Sequence, residues 1–155
     1  TTKGRTMHIT LESDYAVRIV ACLAAEGIRI DAKTISEITC VTLRFSLKIL
    51  RKLVTAGIVK SFKGAQGGYQ LAKEPSEISL KDVIETIEGT YNFNRCLDTD
   101  FCSRGKSGMC AYQQVFNNIT QMVSKQLEEH NFENCKDIQK DIDKKSNICC
   151  ETRVI

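Results

Sequence analysis

Residues 34–72, TISEITCVTLRFSLKILRKLVTAGIVKSFKGAQGGYQLA, constrain the fold of this chain more than any other stretch. Thr34, with Glu37 three positions on, has the spacing at which side chains and backbone cap each other, and predicts the start of a short helix. After a break over residues 39–41, Thr42 is the expected cap of a second helix that runs to Gly57. Its Leu43, Leu47, Leu50, Leu53 and Val54 recur at helical spacing and are expected to face a core. Two short helices joined by a tight turn, the second of them basic, form the helix-turn-helix pattern. IVKSF and YQLA then predict two short strands, and the glycines of KGAQGG permit the chain to reverse between them. A basic hairpin directly after a recognition helix is a wing.

The flanking segments extend this pattern. Ala16, Ile19, Val20, Leu23 and Ala24 predict a helix between Ile9 and Glu26, with Gly27 as its left-handed stop. Pro75 marks the end of the wing, Ser79 caps LKDVIETIE, and Gly89 ends that helix. AYQQVFNNITQMVSKQLEEH is a long helix with Val115, Ile119, Met122, Val123 and Leu127 down one side. Such a stripe calls either for a second copy of the chain or for packing on the first helix, and the two are compatible. The expected class is mainly α with a small β-hairpin wing: a winged helix-turn-helix domain plus a long dimerisation helix.

Charge is unevenly divided. Residues 1–75 hold twelve Lys or Arg against six Asp or Glu, whereas residues 76–155 hold ten against thirteen. From Arg44 to Lys63 there are six basic residues and no acidic one, a patch suited to a polyanion. On the second helix of the motif, Thr42, Arg44 and Phe45 lie nearest the end that reaches base edges, while Lys48, Arg51 and Lys52 suit phosphate. Lys63 and Gln66 stand in the wing. Double-stranded DNA is the expected partner.

Eight cysteines occupy positions 22, 40, 96, 102, 110, 135, 149 and 150. No apolar run approaches the roughly 20 residues that span a bilayer, and the N-terminus lacks the apolar centre of a secretion signal. A cytoplasmic, thiol-reducing setting without membrane association is therefore expected, which disfavours disulfides. Met7 is the expected natural start, with TTKGRT outside the fold. In CLDTDFCSRGKSGMC, residues 96–110, five and then seven residues separate the cysteines. Structural zinc sites pair cysteines at spacings of two to four, so zinc suits these thiols less well than an iron-sulfur cluster, with inert thiols as the third reading. Cys149 and Cys150 lie in a Lys- and Asp-rich stretch expected to be a mobile tail.

Taken in order, MHITLESDYAVRI, the helix-turn-helix, GIVKSFKGAQGGYQLAK, SLKDVIETIEG and the cysteine triplet before a long helix resemble the IscR/NsrR-type family of winged-helix iron-sulfur transcription regulators. The resemblance covers Met7 to about Ile138. It implies a homodimer on operator DNA, and Cys96, Cys102 and Cys110 as cluster ligands. In the two-iron members a histidine follows the last cysteine by three positions, where this chain has Gln113. Asp14 instead matches the aspartate with which the nitric-oxide-sensing members complete a four-iron cluster, with Glu12 and His8 as weaker alternatives. A four-iron cluster is thus favoured over a two-iron one.

On this basis residues 7–75 are the expected DNA-binding domain, 76–137 the cluster loop and dimerisation helix, and 138–155 a flexible tail. The expected function is a regulator, a repressor, whose operator binding is controlled by a cluster sensing redox stress, nitric oxide or iron status. The alternative is a cluster-free winged-helix regulator sensing through cysteine oxidation or a partner protein. With no phosphate loop or nucleophile elbow, and with His8 and His130 lacking catalytic neighbours, an enzyme is not expected.

Overall fold

The computed structural model describes residues 8–99, 102, 105 and 110–146. The first helix, α1 (Leu11–Glu26), is the axis of the domain. Thr10 caps it by accepting from the Ser13 N–H at 3.2 Å, and Gly27 stops it at φ 67°, donating to the Leu23 carbonyl. Ala16, Ile19, Val20 and Leu23 are buried along it.

The short helix α2 (Ala32–Thr39) does not begin at the expected cap. Asp31 takes that place, accepting from the N–H groups of Lys33 and Thr34 at 2.9 and 3.1 Å. Thr34 Oγ1 donates to the same carboxylate at 2.6 Å. An ionised acceptor three residues earlier outcompetes a hydroxyl for these orphan amides. Cys40, at φ 53°, turns the chain into α3 (Leu43–Thr55).

The inward face of α3 is Ser46, Ile49, Leu50 and Leu53. Leu43 and Leu47, expected inside, are exposed. At 3.6 residues per turn Leu47 is turned away from the stripe through Ile49, Leu50 and Leu53, whereas Leu43 lies two turns before Leu50 on the same side and is exposed as the first residue of the helix.

Strands β1 (Val59–Phe62) and β2 (Gly68–Leu71) pair antiparallel, Val59 with Leu71 and Phe62 with Gly68. Their hairpin is fastened to the body at a second edge, where Ile30 and Tyr69 exchange backbone hydrogen bonds of 3.1 and 2.8 Å. The Arg29 guanidinium sits 3.6 Å from the Phe62 ring centroid and donates to the Gln66 carbonyl at 3.2 Å. Gly68 makes this approach feasible: a Cβ there would stand 2.6 Å from the Ile30 carbonyl oxygen, at a φ of 151°. Gly68→Ala is therefore expected to cost about 1–3 kcal/mol and to loosen the wing, visible as faster hydrogen exchange at Ile30 and Tyr69.

After a 3-10 turn at Pro75–Glu77, α4 (Leu80–Glu88) is closed by a reciprocal cap between Ser79 and Asp82. Glu88, near its end, accepts from Thr10 N and Oγ1 at 3.0 and 2.9 Å, locking the end of α4 to the start of α1. Two further helices follow the short α5 (Cys96–Thr99): α6 (Ala111–Glu129) and α7 (Phe132–Ser146). On α6 the expected stripe divides. Ile119, Val123 and Leu127 are half-buried, whereas Val115 and Met122 join Tyr112 on the exposed side.

The stretch from 138, expected as a tail, is helical to Ser146, so the boundary drawn there falls inside α7. Phe132 explains its anchoring. It is buried in the core beside α1, its N–H donates to the Ile78 carbonyl at 3.1 Å, and Lys136 Nζ donates to the Ala24 carbonyl at 3.1 Å. Burying one such ring contributes about 1.5–3 kcal/mol. Local pairs, Lys140 with Asp137 and Gln139 with Asp143, continue the helix outward. Cys149 and Cys150 lie outside the described residues. One hydrophobic core draws on α1, α2, α3, β1, α4 and α7. Among the described residues no helix is long and apolar enough to cross a membrane.

Candidate functional site

Helix α3 presents the predicted cations outward. Arg44, Lys48 and Arg51 are exposed and, with Phe45, line one shallow hollow. Thr42 occupies the cap position of α3 but makes no side-chain cap bond, which leaves its exposed hydroxyl for other partners. The Phe45 ring meets Tyr15 of α1 edge-on, centroids 6.1 Å apart. Lys63 and Gln66 are exposed in the wing, where Arg29 holds the backbone of Gln66.

Two of the cations are not free. Glu12, in the first turn of α1, sits with Oε2 3.0 Å from Lys48 Nζ and Oε1 2.8 Å from Lys52 Nζ. The Lys48 contact is a directed hydrogen bond; the Lys52 contact is an ion pair whose angle falls short of one. Lys52 first, and Lys48 with it, hold the Glu12 carboxyl below its ordinary range against the opposing effect of burial. Sequence reasoning had Glu12 only as a spare ligand, and Arg29 and Tyr15 not at all. An acidic residue heading α1 was visible, but its lysines lie 36 and 40 positions away.

The cysteine triplet runs from the start of α5 to the start of α6. Cys96 opens α5, its N–H donating to Asn94 Oδ1 at 3.1 Å. The Cys102 carbonyl accepts from Gly105 in a turn, and Cys110 stands at the cap of α6. Gln113 Nε2 reaches the Cys96 carbonyl at 3.5 Å, bringing α5 against the first turn of α6. All three cysteines are half-buried and none forms a disulfide. As a donor set, three reduced thiols in one loop suit an iron-sulfur cluster. Their arrangement does not yet match: among the described residues no three Cys, His, Asp or Glu side chains gather as a metal site. Asp14 pairs with Arg18 Nη2 at 2.7 Å instead of joining the cysteines. A cleft of about 730 Å³ between α1, α2 and α7 holds Cys22 and Cys135, not the triplet. Burial, followed by the Glu26 charge, pushes the Cys22 thiol up.

A fold of this kind, with exposed basic residues on α3 and a wing after it, is matched from residue 9 to residue 137 by the Rrf2 family, described as iron-dependent transcriptional regulators. The chain belongs to the Rrf2 family. Among curated Rrf2-like relatives, the HTH-type transcriptional regulator NsrR of Bacillus subtilis (strain 168) is 28% identical over 113 residues, covering 72% of this chain and 77% of that one. Among solved structures, T. potens IscR superposes with a TM-score of 0.69 at 23% identity, over 94% of both chains. CymR (YrzC), the global cysteine regulator of B. subtilis, gives 0.70 at 24% identity, over 86% of this chain and 98% of that one. This Rrf2 protein is thus a transcription regulator with a DNA-binding winged helix, and not an enzyme.

Proposed function

We propose that this regulator represses transcription by binding operator DNA as a homodimer, and that an iron-sulfur cluster on Cys96, Cys102 and Cys110 controls the binding. The observation that carries the reading is three half-buried cysteines, none in a disulfide, between the start of α5 and the start of α6 in a chain whose α3 exposes Arg44, Lys48 and Arg51. Thr42, Arg44 and Phe45 would meet base edges, and Lys48, Arg51, Lys52, Lys63 and Gln66 the backbone. Exposed Tyr112, Val115 and Met122 on α6 supply the apolar face for a second copy. Dimerisation would set two α3 helices against successive major grooves.

When bound, such a cluster supplies iron open to attack by nitric oxide, oxygen or peroxide. The thiolates are soft donors well suited to hold it; a carboxylate from Asp14 of the second copy is a hard one, poorly matched. Leaving Arg18 for that role would tie α1, and with it the DNA-binding half, to the cysteine loop.

Anaerobic purification followed by iron and sulfide analysis tests this directly. Wild-type protein is expected to be coloured and to hold both elements; Cys102→Ser is expected to abolish them, and Asp14→Ala to keep the dimer while altering the absorption and Mössbauer spectra. Unchanged spectra in Asp14→Ala would remove Asp14 from the ligand set. The ungathered thiols favour a second reading, direct oxidation of the same cysteines or control by a partner protein. Colourless protein that cannot be reconstituted would establish that alternative over the cluster.

A further inference from the structure

We propose that Glu12 is a positioning residue for DNA discrimination: it turns Lys48 and Lys52 from mobile cations into fixed ones, so that they serve one docking register instead of any. The inference rests on the reading of α3 as the DNA-contacting helix. Four cations stand on that helix, Arg44, Lys48, Arg51 and Lys52. The two lysines converge on a carboxylate that belongs to a different helix, at 3.0 and 2.8 Å. Glu12 is the more enclosed partner, its side chain 22% exposed against 54% for Lys48 and 38% for Lys52. Pulling both lysines away would leave that carboxylate half-enclosed without a counter-charge, which is unfavourable. They are therefore held more firmly than lysines paired along an exposed helix face.

The consequence follows from how a polyanion is bound. Random-sequence duplex is held almost wholly by cations that find phosphates, and a lysine on a free four-carbon stem finds one in every register. An ammonium has three donors; with Glu12 holding it from one side, by a hydrogen bond for Lys48 and an ion pair for Lys52, the remaining donors meet only a phosphate arriving from the open side. Such a lysine contributes where base contacts by Thr42, Arg44 and Phe45 have already placed the duplex, and little elsewhere. The presence of Glu12 thus sharpens the ratio of operator to random binding more than it strengthens either.

The decisive comparison is Glu12→Gln, which keeps the shape and removes the charge. Two duplexes of equal length serve as probes, one of random sequence and one selected by the wild-type protein from a random pool, each titrated across salt. In the variant, random duplex is expected to bind about tenfold more tightly near 0.1 M salt, with a log-log salt slope steeper by up to about 2, while the selected duplex gains less. The effect should vanish in a Lys48→Ala/Lys52→Ala background, because it acts through those two side chains. An unchanged slope with random duplex, or equal weakening on both probes, would overturn the proposal and leave Glu12 a plain tie between helices. Salt-independent binding by the wild type would instead sink the DNA reading of α3 itself, so the two failures are distinguishable.

Discussion

Replacing Arg44 and Arg51 together by alanine is expected to weaken duplex binding by about a hundredfold near 0.1 M salt and to flatten the log-log salt slope by about 0.9 where Arg51 alone meets a phosphate, or about 1.8 where Arg44 meets one too. Both guanidinium groups are exposed on α3, and among the described residues neither has an ion-pair partner, in contrast to Lys48 and Lys52. Among the described residues no carboxylate pairs with either of them. Each lost phosphate contact removes about 0.9 from the slope, so the pair is expected to act nearly additively. Stability should change little, within about 0.5 kcal/mol per site, because neither side chain is part of the core. Anisotropy titrations across salt check the result. A loss uniform over random and selected duplexes assigns both arginines to phosphate, whereas a loss concentrated on the selected duplex assigns Arg44, nearer the helix start, to a base edge.

Leu53→Ala is expected to have the largest effect on stability, a loss of about 2–5 kcal/mol. Leu53 is fully buried in the cluster where α3 meets α1, and its removal leaves a cavity that two packed helices cannot readily close. Domains of this size have about 5–15 kcal/mol in total, so the urea midpoint should fall by a large fraction. Leu47→Ala is the control. Leu47 is exposed, and its truncation is expected to cost under about 1 kcal/mol. Comparable losses at the two positions would mean that α3 is rotated relative to the face described above.

The contrast between Leu53 and Leu47 shows where sequence periodicity stops being informative. A helix with leucines at 43, 47, 50 and 53 has an apolar arc wider than the surface α1 offers it. Periodicity locates the arc; only the neighbour decides which part of it is covered. The same holds for α6, where Ile119 and Val123 found cover and Val115 and Met122 did not. In α7 the error ran the other way. A polar, weakly periodic stretch reads as a tail, but Phe132 at its start fixes it to the core, and the Lys140–Asp137 ion pair and the Gln139–Asp143 hydrogen bond support the helix beyond it. The cysteines themselves were legible by residue type and spacing, and so was the basic run from Arg44 to Lys63. How the thiols relate to Asp14 was not, because Asp14 has its own partner one turn along α1.

By itself, the sequence determined what depends on contacts within a few residues: the left-handed stop at Gly27, the Ser79 cap of α4 and the hairpin around KGAQGG. These features are local because a cap or a turn satisfies backbone groups with the nearest side chains. Tertiary structure alone decided that Glu12 claims Lys48 and Lys52, that Ile30 and Arg29 fasten the wing, and that Lys136 reaches the Ala24 carbonyl 112 positions earlier. Long-range pairs of this kind form only once burial of Ile19, Leu23, Ile49 and Leu53 has brought their helices together, and no pattern along the chain encodes the approach.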